Sequence, residues 1–337
     1  MDSKDLVETP QRIHGKRKDD LEKVLSKELG VRYEEYRKNW IAVSKREVVT
    51  DFPLYIQIEH TGRCNLRCPT CLQGIDSLRE EYSSSFTPLD LDLYKKVLDE
   101  AKGYGCPSIA FHNNDEPLLL KDLENRIEMA KEAGFLDIIM TTNATLLTPE
   151  RTHKLIGSGI TKINFSVDAF NEEDYKQVRK GGDFTTVLAN IEYFCEYKKK
   201  NRQELPITRV TCVASKFTAK KIEEFKKFWE TRVDMVEFQN FQALKGHTEA
   251  IKPEGAKVDS SFTCNGPWQQ VVIRANGDVA PCCSFYGTGI IVGNIKDSTI
   301  YEIWNGDRMK GIREELLKNN FSFSSACKQC SETFYTL

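Results

Sequence analysis

Features that would place this sequence of 337 residues in a membrane or outside the cell are missing. No apolar run approaches the roughly 20 residues that a membrane-spanning helix needs. The opening segment, MDSKDLVETPQRIHGKRKDD, is charged and lacks the apolar core of a secretory signal. The 48 basic and 50 acidic residues nearly cancel to a net charge of −2, so nucleic acid is not an expected partner. We therefore expect a cytoplasmic protein with no membrane association.

Cysteine is the residue type whose pattern is most informative. There are 11 cysteines, an odd number, and without an export signal clustered thiols indicate metal ligands rather than disulfides. They fall into two clustered sets and three isolated residues, Cys106, Cys195 and Cys212. The isolated thiols are expected to be small buried side chains. An alternative is that one of them takes part in the chemistry of the protein.

The order of predicted elements indicates an α/β protein. Residues 1–50 have helical apolar spacing and predict a helical extension, either a helix pair packed on the main domain or a docking arm or substrate lid. Strands alternate with helices from residue 51 onward, and the spacing predicts strands at 53–59, 108–112, 136–142, 161–168, 206–215 and 233–241. This alternation predicts a parallel sheet, either open or closed into a partial barrel.

The pattern changes after residue 245. A polar segment precedes two short strands around Asn276-Gly277, which is a strong hairpin signal. One or two helices follow. We therefore predict three parts: an extension at 1–50, an α/β domain at 51–245, and a small cysteine-bearing domain at 246–337.

The first cysteine set follows the first predicted strand of the sheet. Cys64, Cys68 and Cys71 have C-x3-C-x2-C spacing, so three thiolates on one short loop can bind three irons of a [4Fe–4S] cluster. The fourth iron then has no protein ligand and can bind a cofactor or substrate. A zinc site would normally need a fourth ligand.

This loop resembles that of the radical S-adenosylmethionine (SAM) superfamily. The resemblance implies a partial (βα)6 TIM-like barrel in which the open iron binds SAM and the reduced cluster generates a 5′-deoxyadenosyl radical. It also implies a flavodoxin- or ferredoxin-type electron donor. The family usually has an aromatic residue just before the third cysteine, whereas this sequence has Thr70.

Further segments match the family in order, each after its own predicted strand. Residues 113–118 resemble the Gly-Gly-Glu-Pro segment, which makes Glu116 the expected partner of the SAM amino group. Segments at 142–145 and 166–168 resemble the Thr-Asn-Gly and Ser-x-Asp segments. The SAM-binding residues that the resemblance implies are Asn114, Asp115, Glu116, Asn143, Ser166, Asp168 and Arg179.

The second cysteine set brackets the predicted hairpin and extends to the C-terminal region. Cys264, Cys282, Cys327 and Cys330 form a four-thiolate site whose spacing suits either [4Fe–4S] or zinc. The pattern C-x12-G-x4-C followed by C-x2-C resembles the shortened SPASM domain called twitch, which implies an auxiliary [4Fe–4S] cluster. The neighbouring Cys283 is interpreted as a spectator that could replace Cys282.

The resemblance implies a two-electron oxidation, with the auxiliary cluster as the electron acceptor. We expect a small-molecule substrate, an alcohol on a sugar or aminocyclitol. Lys245 and His247 are candidate bases for its hydroxyl proton. The alternatives are a peptide maturase and an epimerase with a cysteine hydrogen donor; a zinc-stapled interaction module would be a different class of protein altogether.

Overall fold

The computed structural model describes residues 12–15, 18–82 and 87–336. None of the helices in these ranges has the length and apolar character needed to cross a membrane. The strands are β1 (Arg12–Gly15), β2 (Tyr55–Ile58), β3 (Ser108–Phe111), β4 (Asp137–Thr142), β5 (Lys162–Ser166), β6 (Ile207–Val213), β7 (Met235–Gln239), β8 (Phe241–Gln242), β9 (Lys257–Val258), β10 (Gln270–Ile273), β11 (Asp278–Ala280), β12 (Gly293–Asn294) and β13 (Phe334–Thr336).

The helices lie between these strands in the order that the sequence predicts. They are α1 (Lys18–Leu29), α2 (Val31–Ser44), α3 (Asp76–Tyr82), α4 (Leu91–Gly103), α5 (Leu123–Glu132), α6 (Pro149–Gly157), α7 (Glu172–Val178), α8 (Phe184–Lys200), α9 (Ile222–Trp229), α10 (Gly266–Gln269), α11 (Ile300–Trp304), α12 (Asp307–Leu317) and α13 (Ser325–Glu332).

Six parallel strands, β2 to β7, form the centre of the molecule and confirm the predicted partial barrel. Neighbours in sequence are neighbours in space, and the order in the sheet is β1-β7-β6-β5-β4-β3-β2-β10-β11-β12. Because the strands are parallel, their carboxyl ends meet at one rim. The loops that follow the strands are therefore brought together there.

The helix α4 shows how the sequence produces this layer of the fold. The side chain of Asp90 accepts hydrogen bonds from the N–H groups of Asp92 and Leu93, which caps the first turn. Tyr94, Val97, Leu98 and Ala101 are buried, and their spacing places them on one face of the helix. That face packs into the hydrophobic core shared with the strands.

The N-terminal helices lie at the rim opposite the cysteine loop. Lys162, the first residue of β5, donates to Asp137 at 2.8 Å and lies 3.4 Å from the hydroxyl of Tyr33 on α2. Tyr33 and Tyr36 are buried there. This packing agrees with the helix pair that the sequence predicts. The antiparallel pairing of β1 with β7 was not predicted, and it extends the sheet at that edge.

The hairpin around Asn276-Gly277 forms as predicted, with Gly277 at a φ of +91°. Its strand β10 also pairs in parallel with β2, so that Val271 lies opposite Ile56. The hairpin therefore continues the sheet of the barrel, which the spacing of turns could not show. This pairing gives hydrogen-bond partners to the backbone groups along the edge of β2, which would otherwise be unpaired.

Candidate functional site

The first cysteine loop is anchored where it leaves β2. The carboxylate of Asp115 accepts hydrogen bonds from the N–H groups of His60 and Thr61, at 3.0 and 2.9 Å. It also accepts from the hydroxyl of Thr61 at 3.1 Å. The segment after β3 thus fixes the direction in which the chain enters the cysteine loop.

Within the loop, tight turns present the thiols. The N–H of Cys71 donates to the carbonyl of Cys68 at 3.0 Å, and the N–H of Gly74 donates to that of Cys71 at 2.9 Å. A Cβ at Gly74 would overlap the carbonyl oxygen of Cys68. Glycine is therefore required at this close approach.

The three thiols are buried in a way that disfavours their ionisation unless a cation is present. Burial raises the pKa of Cys64 to about 12 and that of Cys68 to about 11, and it also raises the pKa of Cys71. Metal ligands must be thiolates, and iron in a cluster would supply the positive charge that offsets this burial. The donor set therefore fits the cluster that the loop pattern implies.

A cavity, here called the rim cavity, opens beside the three thiols. It encloses about 580 Å³ of empty space, including the part open to solvent. Nine residues singled out from the sequence line it: Cys64, Cys68, Cys71, Asn114, Asp115, Glu116, Asn143, Ser166 and Arg179. The structure thus brings together side chains from the loops after four different strands.

Glu116 ties two of these loops together. Its carboxylate accepts hydrogen bonds from the hydroxyl of Thr142 at 2.6 Å and from the N–H groups of Asn143 and Leu118 at 2.7 and 3.0 Å. Burial raises the pKa of Glu116 to about 7. The expected contact between this carboxylate and the SAM amino group stays a prediction. In the structure the carboxylate accepts three hydrogen bonds from the chain itself.

Asp168 has a different position from the other predicted SAM-binding residues. It is not among the side chains that line the rim cavity. Its carboxylate pairs with Arg179 at 2.7 Å and accepts from the N–H of Val213 at 2.7 Å. Arg179 in turn lies 3.8 Å from the sulfur of Cys68. Asp168 therefore orients the guanidinium group beside the thiols rather than facing the cavity itself.

The structure adds a row of polar side chains that the sequence analysis missed. The amide of Asn164 donates to Thr141 at 3.2 Å, and Arg209 donates to Asn164 at 2.7 Å and pairs with Glu237. We call these four residues, one from each of β4 to β7, the polar strip. Side chains alternate between the two faces of a strand, so a polar residue at an inward-facing position of each strand was a signal that could have identified the polar strip.

His112 is a second functional candidate that the sequence analysis missed, because it reads as the last residue of a strand. It lines the rim cavity, and its Nδ1 is buried with no hydrogen-bond partner. Burial, aided by the charge of Arg209, lowers the pKa of His112 to about 3. The imidazole is therefore neutral and can accept a hydrogen bond.

The two candidate bases named from the sequence lie elsewhere. Lys245 and His247 are both exposed, and neither lines the rim cavity. The ammonium group of Lys245 pairs with Glu332 at 3.3 Å. The polar segment that carries them packs against the C-terminal region rather than facing the barrel rim.

The second cysteine set forms a separate, mostly apolar site. Its four thiols line a cavity, here called the auxiliary cavity, of about 310 Å³ including open space. Apolar neighbours include Phe262, Ile290, Leu316 and Phe321. The four thiols come from three segments of the chain: Cys264, Cys282, Cys327 and Cys330. Burial raises the pKa of Cys264 to about 12 and that of Cys327 to about 11. Four thiols that line one cavity match the donor set of an iron–sulfur cluster.

Cys283 does not share this position. It is exposed and is not among the residues that line the auxiliary cavity. A Cβ at Gly287 would overlap the sulfur of Cys282, so the loop is closely packed around Cys282 in particular.

Within the described residues, no three His, Cys, Asp or Glu side chains lie close enough together to hold a single metal ion.

The isolated cysteines lie away from both cavities. Cys106 is buried and its thiol donates to the carbonyl of Pro53 at 3.2 Å. Cys212 is also buried, and Cys195 is half-buried against the core. None of the three lines either cavity. Their positions give no support to a hydrogen-donor role.

Comparison with known families agrees with this division. Residues 58–229 match the radical SAM superfamily, and residues 264–331 match SPASM, an iron–sulfur cluster-binding domain. The first family implies a [4Fe–4S] cluster and SAM, and the second implies further iron–sulfur cluster binding.

Individual relatives share parts of the chain. A GTP 3′,8-cyclase of Clostridium botulinum is 33% identical over 139 residues, which is 41% of this chain and 42% of that protein. The matched segment is thus less than half of that relative. The crystal structure of BtrN with AdoMet and 2-DOIA has a TM-score of 0.56 at 21% identity, covering 82% of this chain and 92% of BtrN. Streptococcus suis SuiB bound to its precursor peptide SuiA has a TM-score of 0.59 at 19% identity, covering 82% and 70% of the two chains.

Proposed function

Because this chain belongs to the radical SAM superfamily, we propose that it is an oxidoreductase that removes two electrons from an alcohol on a sugar, polyol or aminocyclitol. The observation that supports this most is the difference between the two thiol sites. Three thiols line a polar cavity with room for a cofactor, and four thiols line an apolar one. The first set leaves an iron open, and the second does not.

When bound, SAM and the first cluster supply an acceptor for a hydrogen atom, and the auxiliary cluster supplies an acceptor for an electron. Conversion of an alcohol to a ketone removes one hydrogen atom, one electron and one proton. The chain must therefore place the alcohol near the rim cavity and accept the proton. A flavodoxin- or ferredoxin-type protein is the proposed electron donor.

We assign the binding of SAM to side chains of the rim cavity. Arg179, held by Asp168 at 2.7 Å, presents a cation that suits the SAM carboxylate. Ser166 and Asn143 add a hydroxyl and an amide on the same wall. Asn143 is fixed by its amide, which donates to Asn65 at 2.9 Å.

The polar strip favours a small polar substrate. Arg209 and Glu237 carry opposite charges and pair with each other, so together they add no net charge to the barrel. Asn164 and Thr141 continue the strip, and Thr141 lines the rim cavity. Thr141 is the one residue of the strip that lines the rim cavity, so its hydroxyl can hydrogen-bond a polyhydroxylated molecule there without requiring that the molecule be an ion.

We propose His112 as the proton acceptor in place of Lys245 and His247. Its ring lines the same cavity as the three thiols, and its Nδ1 has no partner. Because its pKa is low, the ring is uncharged at neutral pH and is a weak base. It can accept a hydrogen bond from the hydroxyl, and we propose that it takes the proton as the electron leaves, when the hydroxyl has become strongly acidic. A positioned base of this kind typically contributes about 10²–10⁴-fold to the rate.

A second candidate is the modification of a peptide. It is favoured by the likeness of the fold to SuiB, which was solved with its precursor peptide. The rim cavity, which encloses about 580 Å³ including its open part and has many polar side chains in its lining, instead favours a compact polar molecule.

The experiment is an anaerobic screen of alcohols. Reconstituted protein with SAM and a reductant is incubated with inositols, aminocyclitols and sugars, and 5′-deoxyadenosine and ketones are measured. We expect one alcohol class to give a ketone in equal amount to 5′-deoxyadenosine. GTP is included as a probe, and its turnover in the absence of any ketone would overturn the proposal.

The same screen tests the base. His112→Gln keeps a polar side chain but removes the proton acceptor, and we expect ketone formation to fall about 10²-fold or more. His153→Gln is the matched control, because His153 lies outside the barrel beside Tyr193. Equal losses in both variants would remove His112 from the mechanism.

A further inference from the structure

The side chain of Gln242 joins the barrel to the auxiliary site. Gln242 lies in β8, three residues after β7 ends at Gln239. Its backbone pairs with β13, so that Phe334 lies opposite Gln242. β13 begins just after the helix that carries Cys327 and Cys330. The side chain is therefore positioned by a strand pair that connects the end of the barrel to two of the auxiliary ligands.

The amide of Gln242 is oriented toward a ligand sulfur. Its Nε2 donates to the sulfur of Cys330 at 3.0 Å. Its Oε1 accepts from the hydroxyl of Ser284 at 3.3 Å. Because the oxygen of the amide is occupied by this donor, the N–H group is left to face the sulfur. The hydroxyl of Ser284 also lies 3.6 Å from Cys330, but its single proton is donated to Gln242, so the amide of Gln242 is the side-chain donor to this sulfur.

The segment around Gln242 is held by further contacts. The hydroxyl of Tyr286 donates to the carbonyl of Ala243 at 2.8 Å and accepts from the N–H of Lys245 at 2.8 Å. Tyr286 itself lines the auxiliary cavity. A side chain held by a paired strand and an adjacent clamp loses little freedom when it makes a hydrogen bond, so the N–H···S contact is preorganised.

Hydrogen bonds to a ligand thiolate matter because they stabilise negative charge on the cluster. Reduction adds an electron, so a donor aimed at a ligand sulfur raises the reduction potential. Backbone N–H groups of Gly266 and Ser284 approach Cys264 and Cys282, and only a substitution by proline would remove them. At Cys330 the donor is the side chain of Gln242, which can be changed without altering the backbone.

We propose that Gln242 is a positioning residue that sets the reduction potential of the auxiliary cluster through its hydrogen bond to Cys330. It acts through the ligand and not on the substrate. By raising the potential, it favours transfer of an electron to the auxiliary cluster. The proposal rests on an iron–sulfur cluster at this site and not on the identity of the substrate.

The test is a potentiometric titration of the full-length, anaerobically reconstituted protein, followed by electron paramagnetic resonance. The signal that changes when SAM is added belongs to the first cluster, and the other signal reports the auxiliary one. In Gln242→Leu we expect the equilibrium constant for one-electron reduction of the auxiliary cluster to fall about tenfold, which is about 59 mV. The potential of the first cluster should not move.

Two further variants make the result decisive. Ser284→Ala removes the hydroxyl that orients the amide of Gln242, so it should shift the auxiliary potential in the same direction but by less. Gln203→Leu, a change at an exposed glutamine, should leave the potential unchanged. If Gln242→Leu fails to retain the cluster, the isosteric Gln242→Glu is used, and its carboxylate should also lower the potential. An auxiliary potential that stays at the wild-type value in a cluster-loaded Gln242 variant would overturn the proposal.

Discussion

The two thiol sites of this protein differ in how they are built. The first takes three thiols from one loop, residues 64–71, and opens into a cavity of about 580 Å³ with many polar side chains. The second takes four thiols from three separated segments and encloses about 310 Å³ among apolar side chains. One site thus has fewer thiols and more polar surface, and the other has the reverse.

This difference indicates a division of labour. A cluster with three protein ligands has an iron that can bind a cofactor, and the polar wall around Asn143, Ser166 and Arg179 offers groups to hold it. A cluster with four thiolates has no open iron, and an apolar shell controls its access to solvent and its potential. The proposed function assigns the chemistry to the first site and electron transfer to the second.

The largest expected effect on this difference between the two sites comes from removing the first set of thiols. Changing Cys64, Cys68 and Cys71 together to Ala should abolish SAM cleavage and remove about four of about eight irons per chain. The auxiliary cluster should remain. Iron analysis and 5′-deoxyadenosine measurement check this, with Cys195→Ala as a control that lies outside both cavities. Loss of all iron from a folded variant would contradict two independent sites.

The opposite change should separate binding from electron transfer. In Cys327→Ala/Cys330→Ala we expect about four irons to be lost while SAM cleavage continues. Ketone formation should stop, because the electron has no acceptor. Parallel measurement of 5′-deoxyadenosine and ketone reveals this uncoupling. If both products disappeared together while the first cluster stayed intact, the electron-acceptor role would be wrong.

A smaller expected effect concerns the electrostatic difference between the two sites, and it comes from the buried carboxylate of Glu116. Burial raises the pKa of Glu116 from its ordinary value of 4.5 to about 7, whereas no carboxylate lines the auxiliary cavity within the described residues. Folded protein therefore binds more protons at Glu116 than unfolded protein, and its contribution to stability falls as the pH rises from about 4.5 to about 7.

For the apoprotein, we expect this loss to be on the order of 3 kcal/mol across that interval. Glu116→Gln should remove it, whereas Glu332→Gln, a change at an exposed residue near the second site, should not. Denaturant titrations at several pH values measure the free energy of unfolding. The same pH dependence in Glu116→Gln as in the wild type would show that Glu116 is not its source.

The sequence was sufficient for features that depend on local patterns. The first loop is local, because three ligands lie within residues 64–71, and parallel strands necessarily bring their following loops to one rim. The contributions of Asn143, Ser166 and Arg179 to one cavity could therefore be predicted. The hairpin at Asn276-Gly277 has a local turn signal as well.

Features set by long-range packing were not predictable in this way. The pairing of β10 with β2 joins residues more than 200 positions apart, so a local turn signal cannot predict it. The exposure of Lys245 and His247 follows from how their segment packs on the C-terminal region. His112 and Gln242 become candidates only when distant residues surround them, because neither side chain belongs to a recognisable short motif.

The central claim is that two iron–sulfur sites act in one radical SAM oxidoreductase. The most direct test is to measure iron, sulfide and SAM cleavage in anaerobically reconstituted wild-type protein given dithionite. We expect about eight irons per chain and release of 5′-deoxyadenosine. Zinc in place of iron, with no cleavage of SAM, would contradict it.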